Sequence, residues 1–171
     1  MIDKLILGTV QLGLNYGVNT TSGKPSLETA FNILNLAYDS GIRTIDTAEA
    51  YGDSQEVIGR YIKQIPNKKF KIITKLSANK ILNKGELIKH IKATCNILNV
   101  QCLEGYMFHN YQSFKNNSFL YQELLDAKKE GIINKAGISL YTNEEIEDII
   151  TNYKNFDYIQ FPFNLLDNEN M

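Results

Sequence analysis

Thr44-Ile45-Asp46-Thr47-Ala48-Glu49-Ala50-Tyr51-Gly52 is the stretch on which the reading of this chain turns. An apolar run ends in a carboxylate, and a tyrosine and a glycine follow five residues later. The pattern sets an acid and a phenol just beyond the end of an expected strand. Two readings are open at this point. Asp46 caps backbone amides while Tyr51 packs on the rim of a strand-to-helix loop, or the two groups do chemistry together.

Working outward, Ser26 caps an expected helix whose apolar face is Leu27, Ala30, Phe31, Leu34, Ala37 and Tyr38, with Gly41 just past its end. That helix feeds a strand over 42–46. Further upstream, the short apolar run 5–10 has the form of a strand buried on both faces. The intervening Gly13-Leu14-Asn15-Tyr16-Gly17 and Ser22-Gly23-Lys24-Pro25 carry turn residues, but neither G-x-G-x-x-G nor a P-loop pattern occurs.

Downstream, a helix beginning at Asp53 or Ser54 carries Val57, Ile58, Tyr61, Ile62 and Ile65 and is stopped by Pro66. A strand over 70–75 follows. A helix over 84–98 has Leu87, Ile91, Cys95 and Leu98 on one stripe and leads to a strand over 102–109, interrupted by Glu104 and Gly105. A loop rich in Asn and Ser then precedes a helix with Leu120, Leu124, Leu125 and Ala127 that ends at Gly131. The remaining elements are a strand over 136–139, a helix opened by the capping pair Thr142 and Glu145 and bearing Ile146, Ile149, Ile150 and Tyr153, and a strand over 158–161.

Six strands thus alternate with five helices at a spacing of roughly 30 residues, the βαβ rhythm of an α/β fold with a parallel sheet and right-handed crossovers. A doubly wound sheet and a (β/α)8 barrel both have this rhythm. One polar residue stands at or near the end of each expected strand: Gln11, Asp46, Lys75, His109, Ser139 and Gln160. A barrel gathers single residues from the C-terminal ends of many strands, so this distribution favours a TIM-barrel type. A complete barrel typically has ~250 residues, so six units predict an incomplete one, with a single truncated barrel domain over 1–171.

The composition, 43% hydrophobic and 22% charged with a net charge of -1, is that of a soluble globular protein and offers no global attraction for nucleic acid or an anionic membrane. Cys95 and Cys102 lie in no ligand spacing and read as small apolar fillers, so neither a disulfide framework nor a metal site is expected. No signal-peptide core or membrane-length run occurs, and a cytoplasmic location is the expectation.

The segment from Gly41 to Gly59, Gly-Ile-Arg-Thr-Ile-Asp-Thr-Ala-Glu-Ala-Tyr-Gly-Asp-Ser-Gln-Glu-Val-Ile-Gly, resembles the most recognisable segment of the aldo-keto reductases. The resemblance runs from Leu5 to about Leu166 and implies Asp46, Tyr51, Lys75 and His109 as the catalytic set. It implies NADPH (NADP) as cofactor, with Ser139 and Gln160 holding the nicotinamide carboxamide and Asp46 also at the ribose. The opening segment 8–17 resembles a bacterial branch found among surface-polysaccharide genes, which points to sugar-like carbonyl substrates.

Hydride transfer to a carbonyl builds negative charge on oxygen, and a donor must deliver a proton there. Tyr51 is the expected acid. Lys75 is expected to lower the phenol's pKa, Asp46 to hold Lys75, and His109 to orient the carbonyl oxygen. Strands seven and eight, absent here, carry much of the family's cofactor grip, so weakened binding and self-association through the open edges are expected. The competing reading is a catalytically silent barrel that acts as a binding or scaffold module. A metal-dependent barrel hydrolase or isomerase is disfavoured, because only His90 and His109 are present and His90 falls in a helix.

Overall fold

The computed structural model describes residues 4–17 and 23–163. The turn position Ser22 and the segment following Phe163, including Leu166, lie outside the described residues. The elements in chain order are β1 (Ile6–Gly8), α1 (Val10–Gly13), α2 (Leu27–Asp39), β2 (Thr44–Asp46), α3 (Ser54–Gln64), β3 (Lys71–Leu76), α4 (Leu87–Ile97), β4 (Gly105–Phe108), α5 (Tyr111–Asn116), α6 (Tyr121–Lys129), β5 (Ala136–Ser139), α7 (Asn143–Asn152) and β6 (Tyr158–Gln160). A 3-10 turn at Ser118–Leu120 leads into α6.

All six strands pair in parallel, each with its sequence neighbour, in the order β1-β2-β3-β4-β5-β6. A doubly wound sheet reverses its strand order at a switch point. Here the order never reverses, so the sheet winds steadily in one direction, as in a barrel. The fold is an incomplete (β/α)8 barrel of six parallel strands. Among the described residues, β1 and β6 are its two edges.

The local signals place most helices. Ser26 accepts a hydrogen bond from the Thr29 N–H at 3.2 Å and starts α2. Ala30, Leu34 and Ala37 of that helix are buried, whereas Leu27 at its first position is exposed. In α3, Val57, Ile58 and Tyr61 pack inward, and Tyr61 meets Phe31 of α2 edge-on at 5.4 Å. Leu87, Ile91 and Cys95 of α4, with Leu98 at its end, are all buried as their spacing predicts. Thr142 accepts from the Glu145 N–H, but the Glu145 carboxylate takes the Tyr141 N–H at 2.7 Å, one residue earlier than a capping box requires.

Several sequence expectations are corrected. The described residues hold seven α-helices rather than five. Strand β1 stops at Gly8, because the Thr9 N–H and hydroxyl both bond the Asp46 carbonyl and the Leu12 N–H turns back to the Thr9 carbonyl. Val10 and Gln11 therefore lie in α1, off the strand end. The Asn- and Ser-rich loop contains α5, which Asn110 caps by accepting from the Ser113 N–H at 2.7 Å and which Phe114 pins into the core. Strand β4 begins at Gly105, and Leu103 makes only an isolated bridge to Ile133. Of the apolar residues assigned to α7, Ile150 is exposed and Ile149 is buried.

Gly59 sits where α3 crosses the end of α4: a Cβ there would run into the Ile97 carbonyl oxygen, a backbone atom that cannot swing aside. Gly59→Ala should therefore cost about 1–3 kcal/mol through overpacking. Calorimetry should read this as a Tm lowered by roughly 2–10 °C, and an unchanged Tm would show that the two helices have room to separate.

Candidate active site

The site follows from the strand register. Asp46 ends β2 and pairs with Ile73 of β3, so Lys75 lies two residues further along. Lys75 in turn pairs with Met107 of β4, and His109 follows two residues beyond that. Side chains two apart on a strand share a face, so these residues all point to the inner side of the sheet, each a step higher than the last. The long Lys75 side chain reaches back down that step, and its Nζ donates to Asp46 Oδ1 at 2.6 Å and to the Thr47 carbonyl at 3.3 Å.

Both partners are removed from water: the Lys75 side chain is 3% exposed and that of Asp46 13%. Burial pulls the Lys75 pKa below the usual lysine value, opposed by the Asp46 charge and hydrogen bond. The other Asp46 oxygen accepts from Gln160 Nε2 at 3.3 Å, a contact that spans from β2 to β6. Beneath Asp46, a cavity of about 380 Å³ opens into the inner face of the sheet, lined by Ile6, Ile73, Met107, Tyr158 and Phe161 among others.

Tyr51 stands beside this pair. Lys75 Nζ lies 5.4 Å from its ring centroid, and the His109 ring meets it edge-on at 5.9 Å and 88°. Its loop is clasped by α1. A Cβ on Gly13 would collide with the Tyr51 carbonyl, and Gly52, at φ 58°, would collide in return with the Gly13 carbonyl. The start of α3 is locked to the same region by Ser54, whose hydroxyl donates to the Thr9 carbonyl at 3.0 Å and shares a hydrogen bond with Thr47 Oγ1 at 3.1 Å.

The electrostatics correct one expectation. Lys75 does not lower the Tyr51 pKa in this arrangement; burial raises it first and the Asp46 charge second, to about 12. Lys75 is engaged with Asp46 at 2.6 Å, so burial and the Asp46 charge set the direction of the shift. His109 is shifted down, first by burial and then by Lys75, which keeps the imidazole neutral at pH 7. Its Nδ1 is buried with no hydrogen-bond partner among the described residues.

Ser139 and Gln160 end β5 and β6 and are paired neighbours in the ladder. Ser139 is buried and Gln160 exposed. Gln11, expected at a strand end, lies in α1 and donates to the Tyr16 carbonyl at 2.9 Å. The site residue that sequence reasoning missed is Glu49, inside the most heavily read stretch. Its carboxylate bonds His90 of α4, Tyr106 of β4 and the Ser77 N–H. The signal was an acid two residues before the tyrosine, masked by the weight given to Asp46.

A parallel barrel sheet that sets a phenol and a neutral imidazole around a buried lysine–carboxylate pair at its strand ends defines a class of site suited to moving a proton at a polar double bond. The sequence matches the Aldo/keto reductase family over residues 4–171. It is 26% identical over 180 residues to the aldo-keto reductase YhdN of Bacillus subtilis, covering 98% of this chain and 52% of that protein. A Pseudomonas aeruginosa structure assigned to the aldo-keto reductases superposes with a TM-score of 0.78 at 27% identity, over 96% of this chain and 65% of that one. The Bombyx mori aldo-keto reductase, solved in complex with NADP, superposes at 0.71 with 20% identity, over 94% and 54%. The chain belongs to the aldo/keto reductase family, and it spans about half the length of the curated relative that it matches end to end.

The ionisation of Tyr51 is open to measurement. A spectroscopic alkaline titration, differenced against Tyr51→Phe, should give a midpoint near 12, and Asp46→Asn should move it down because one of the charges that raises it is gone. Because the folded pKa is raised, the stability this phenol contributes is complete below the ordinary value of ~10 and is lost as the pH climbs through the folded one. A midpoint at the ordinary value in the wild-type chain would contradict the burial described here.

Proposed function

We propose that this chain is an NAD(P)H-dependent oxidoreductase that reduces an aldehyde or ketone, with Tyr51 delivering the proton. The observation that carries this reading is the Lys75–Asp46 bridge at 2.6 Å with the Tyr51 and His109 rings on its open side. The phenol is raised to about 12, so it is fully protonated at neutral pH and available as an acid. His109, neutral, has one N–H to give to the carbonyl oxygen and so orients it toward Tyr51. Lys75 and Asp46 hold a fixed dipole beside the phenol that needs no reorganisation as charge develops.

A nicotinamide cofactor, when bound, would supply the hydride, since no side chain carries one. The residues present fit its amide end: the hydroxyl of Ser139 and the amide of Gln160 end two adjacent paired strands and offer the neutral donors and acceptors that a carboxamide matches. Gln160 also reaches Asp46, which ties the cofactor-binding edge to the acid site. NADPH is the expected form, by family membership and by the shared fold with the Bombyx mori protein solved with NADP. The sugar-like substrate indicated by segment 8–17 is the finer part of the proposal.

Titrating NADPH and following its fluorescence tests the first step. Saturable binding is expected, and its absence at high micromolar cofactor would leave the alternative of a silent binding or scaffold module. With binding in hand, Tyr51→Phe should lower carbonyl reduction by about 10²–10⁴-fold while sparing cofactor affinity. In the same assay the reverse oxidation, which needs the phenolate, should rise with pH below the Tyr51 pKa while reduction stays flat. Reduction that survives Tyr51→Phe would remove the phenol from the acid role.

A further inference from the structure

Tyr51 closes a tight turn. Its N–H bonds the Ala48 carbonyl at 3.0 Å, so Glu49 and Ala50 are the two central residues of the turn 48–51. The Glu49 backbone is tied to the sheet through its N–H, which bonds the Lys75 carbonyl at 3.2 Å. Its side chain turns the other way, toward the helix layer, and is only 13% exposed. There Oε1 accepts from the Tyr106 hydroxyl at 2.6 Å, pairs with His90 Nε2 at 2.8 Å and takes a longer bond from Thr94 Oγ1 at 3.4 Å. Oε2 accepts from the Ser77 N–H just past β3, at 3.2 Å.

Such a carboxylate is costly to bury and gains its place only through its donors. Burial raises the Glu49 pKa, but the hydrogen bonds from His90 and Tyr106 outweigh it and leave the group below the ordinary value. None of the four partners belongs to the loop itself. They come from β4, from two successive turns of α4, and from the chain after β3. One side chain thus fastens the seven-residue connection 47–53 to β4, to α4 and to the chain after β3. A helix-to-sheet packing role alone does not call for a carboxylate at this spot, because Leu87 and Ile91 on the same helix already seal that interface.

We propose that Glu49 is a positioning residue for Tyr51: its carboxylate, gripped by Tyr106, His90, Thr94 and the Ser77 N–H, fixes the 48–51 turn and thereby where the phenol stands relative to Lys75 and His109. Gly13 and Gly52 clasp the loop from the α1 side, and Glu49 fastens it from the α4 side. The meaning of that placement for catalysis rests on the reading of Tyr51 as the acid; the placement itself does not.

The test uses the full chain carrying isotope-labelled tyrosine, with the Tyr51 ring signals assigned by their loss in Tyr51→Phe. Glu49→Ala should shift the Tyr51 signals and lower its ionisation midpoint from about 12 toward that of a free phenol, as the turn loosens and water reaches the ring. Ile149→Ala, a core truncation in α7, should lower the Tm without moving Tyr51, which separates positioning from general destabilisation. A folded Glu49→Ala with wild-type Tyr51 signals and midpoint would overturn the inference. Should Glu49→Ala fail to fold, Tyr106→Phe decides in its place: a smaller displacement of Tyr51 in the same direction supports the inference, and none overturns it. Because these readouts need neither cofactor nor turnover, a failure of the reductase reading, seen as reduction surviving Tyr51→Phe, is distinguishable from a failure of Glu49 as anchor.

Discussion

The Lys75–Asp46 pair is the interaction around which the rest of the structure is arranged. Two opposite charges taken out of water incur a desolvation penalty that their attraction offsets only when the geometry is good and the remaining lone pairs are satisfied. Both conditions are met here: the bridge is 2.6 Å long, the spare Asp46 oxygen takes Gln160, and the ammonium also reaches the Thr47 carbonyl. What makes the bridge reachable is the stagger of the strands, which sets Lys75 two residues above the partner of Asp46 rather than beside it. Strand tilt, a property of the barrel as a whole, is thus converted into the length that one lysine side chain must span.

From that pair outward, the site is built of connections that are short and polar. Thr9 closes β1 on the Asp46 carbonyl, Ser54 joins α3 to Thr9 and Thr47, and Gln55 reaches Thr74 of β3 at 2.8 Å. These buried hydroxyls and amides would be a liability if unpaired. Paired, they tie the first three strands and α3 into one block, on which the Tyr51 turn rests. The inner face of the sheet below is different in kind. There the Tyr158 ring lies across the bare backbones of Gly105 and Gly137, a large side chain from β6 filling space that two neighbouring strands leave open.

The alternation of strands and helices was legible in the sequence because its signals are local: Ser26 and Gly41 bracket α2, Pro66 follows α3, and the stripes of α4 and α6 have helical spacing. Helix α5 was hidden because its only signal is a single Asn110 cap in a run of polar residues. Likewise β1 is shorter than its apolar run, since Thr9 and Leu12 are turned by bonds to residues distant or close in ways that hydropathy does not encode. The convergence of Asp46, Lys75 and His109 was legible, since parallel strands bring their ends to one face, whereas Gln11 falls in α1 and the bonds of Glu49 had no signal of their own. The electrostatics of the site were not legible: whether Lys75 serves Tyr51 or Asp46 depends on ångström distances, and the structure gives its charge to Asp46.

That allocation sets the ionisation state of Tyr51. Had Lys75 faced the phenol alone, Tyr51 would stand closer to ionisation. With Asp46 holding the ammonium, the resting phenol is kept protonated by burial and by a neighbouring negative charge. The space beside Tyr51 is therefore bordered by a protonated phenol, by an imidazole held neutral, and by an ammonium engaged with Asp46. The stretch from Thr44 to Gly52 therefore carries two acids with opposite surroundings: Asp46 bonds Lys75 and sets the charge around the phenol, and Glu49, turned away from it, bonds Tyr106 and His90 in the scaffold behind the turn.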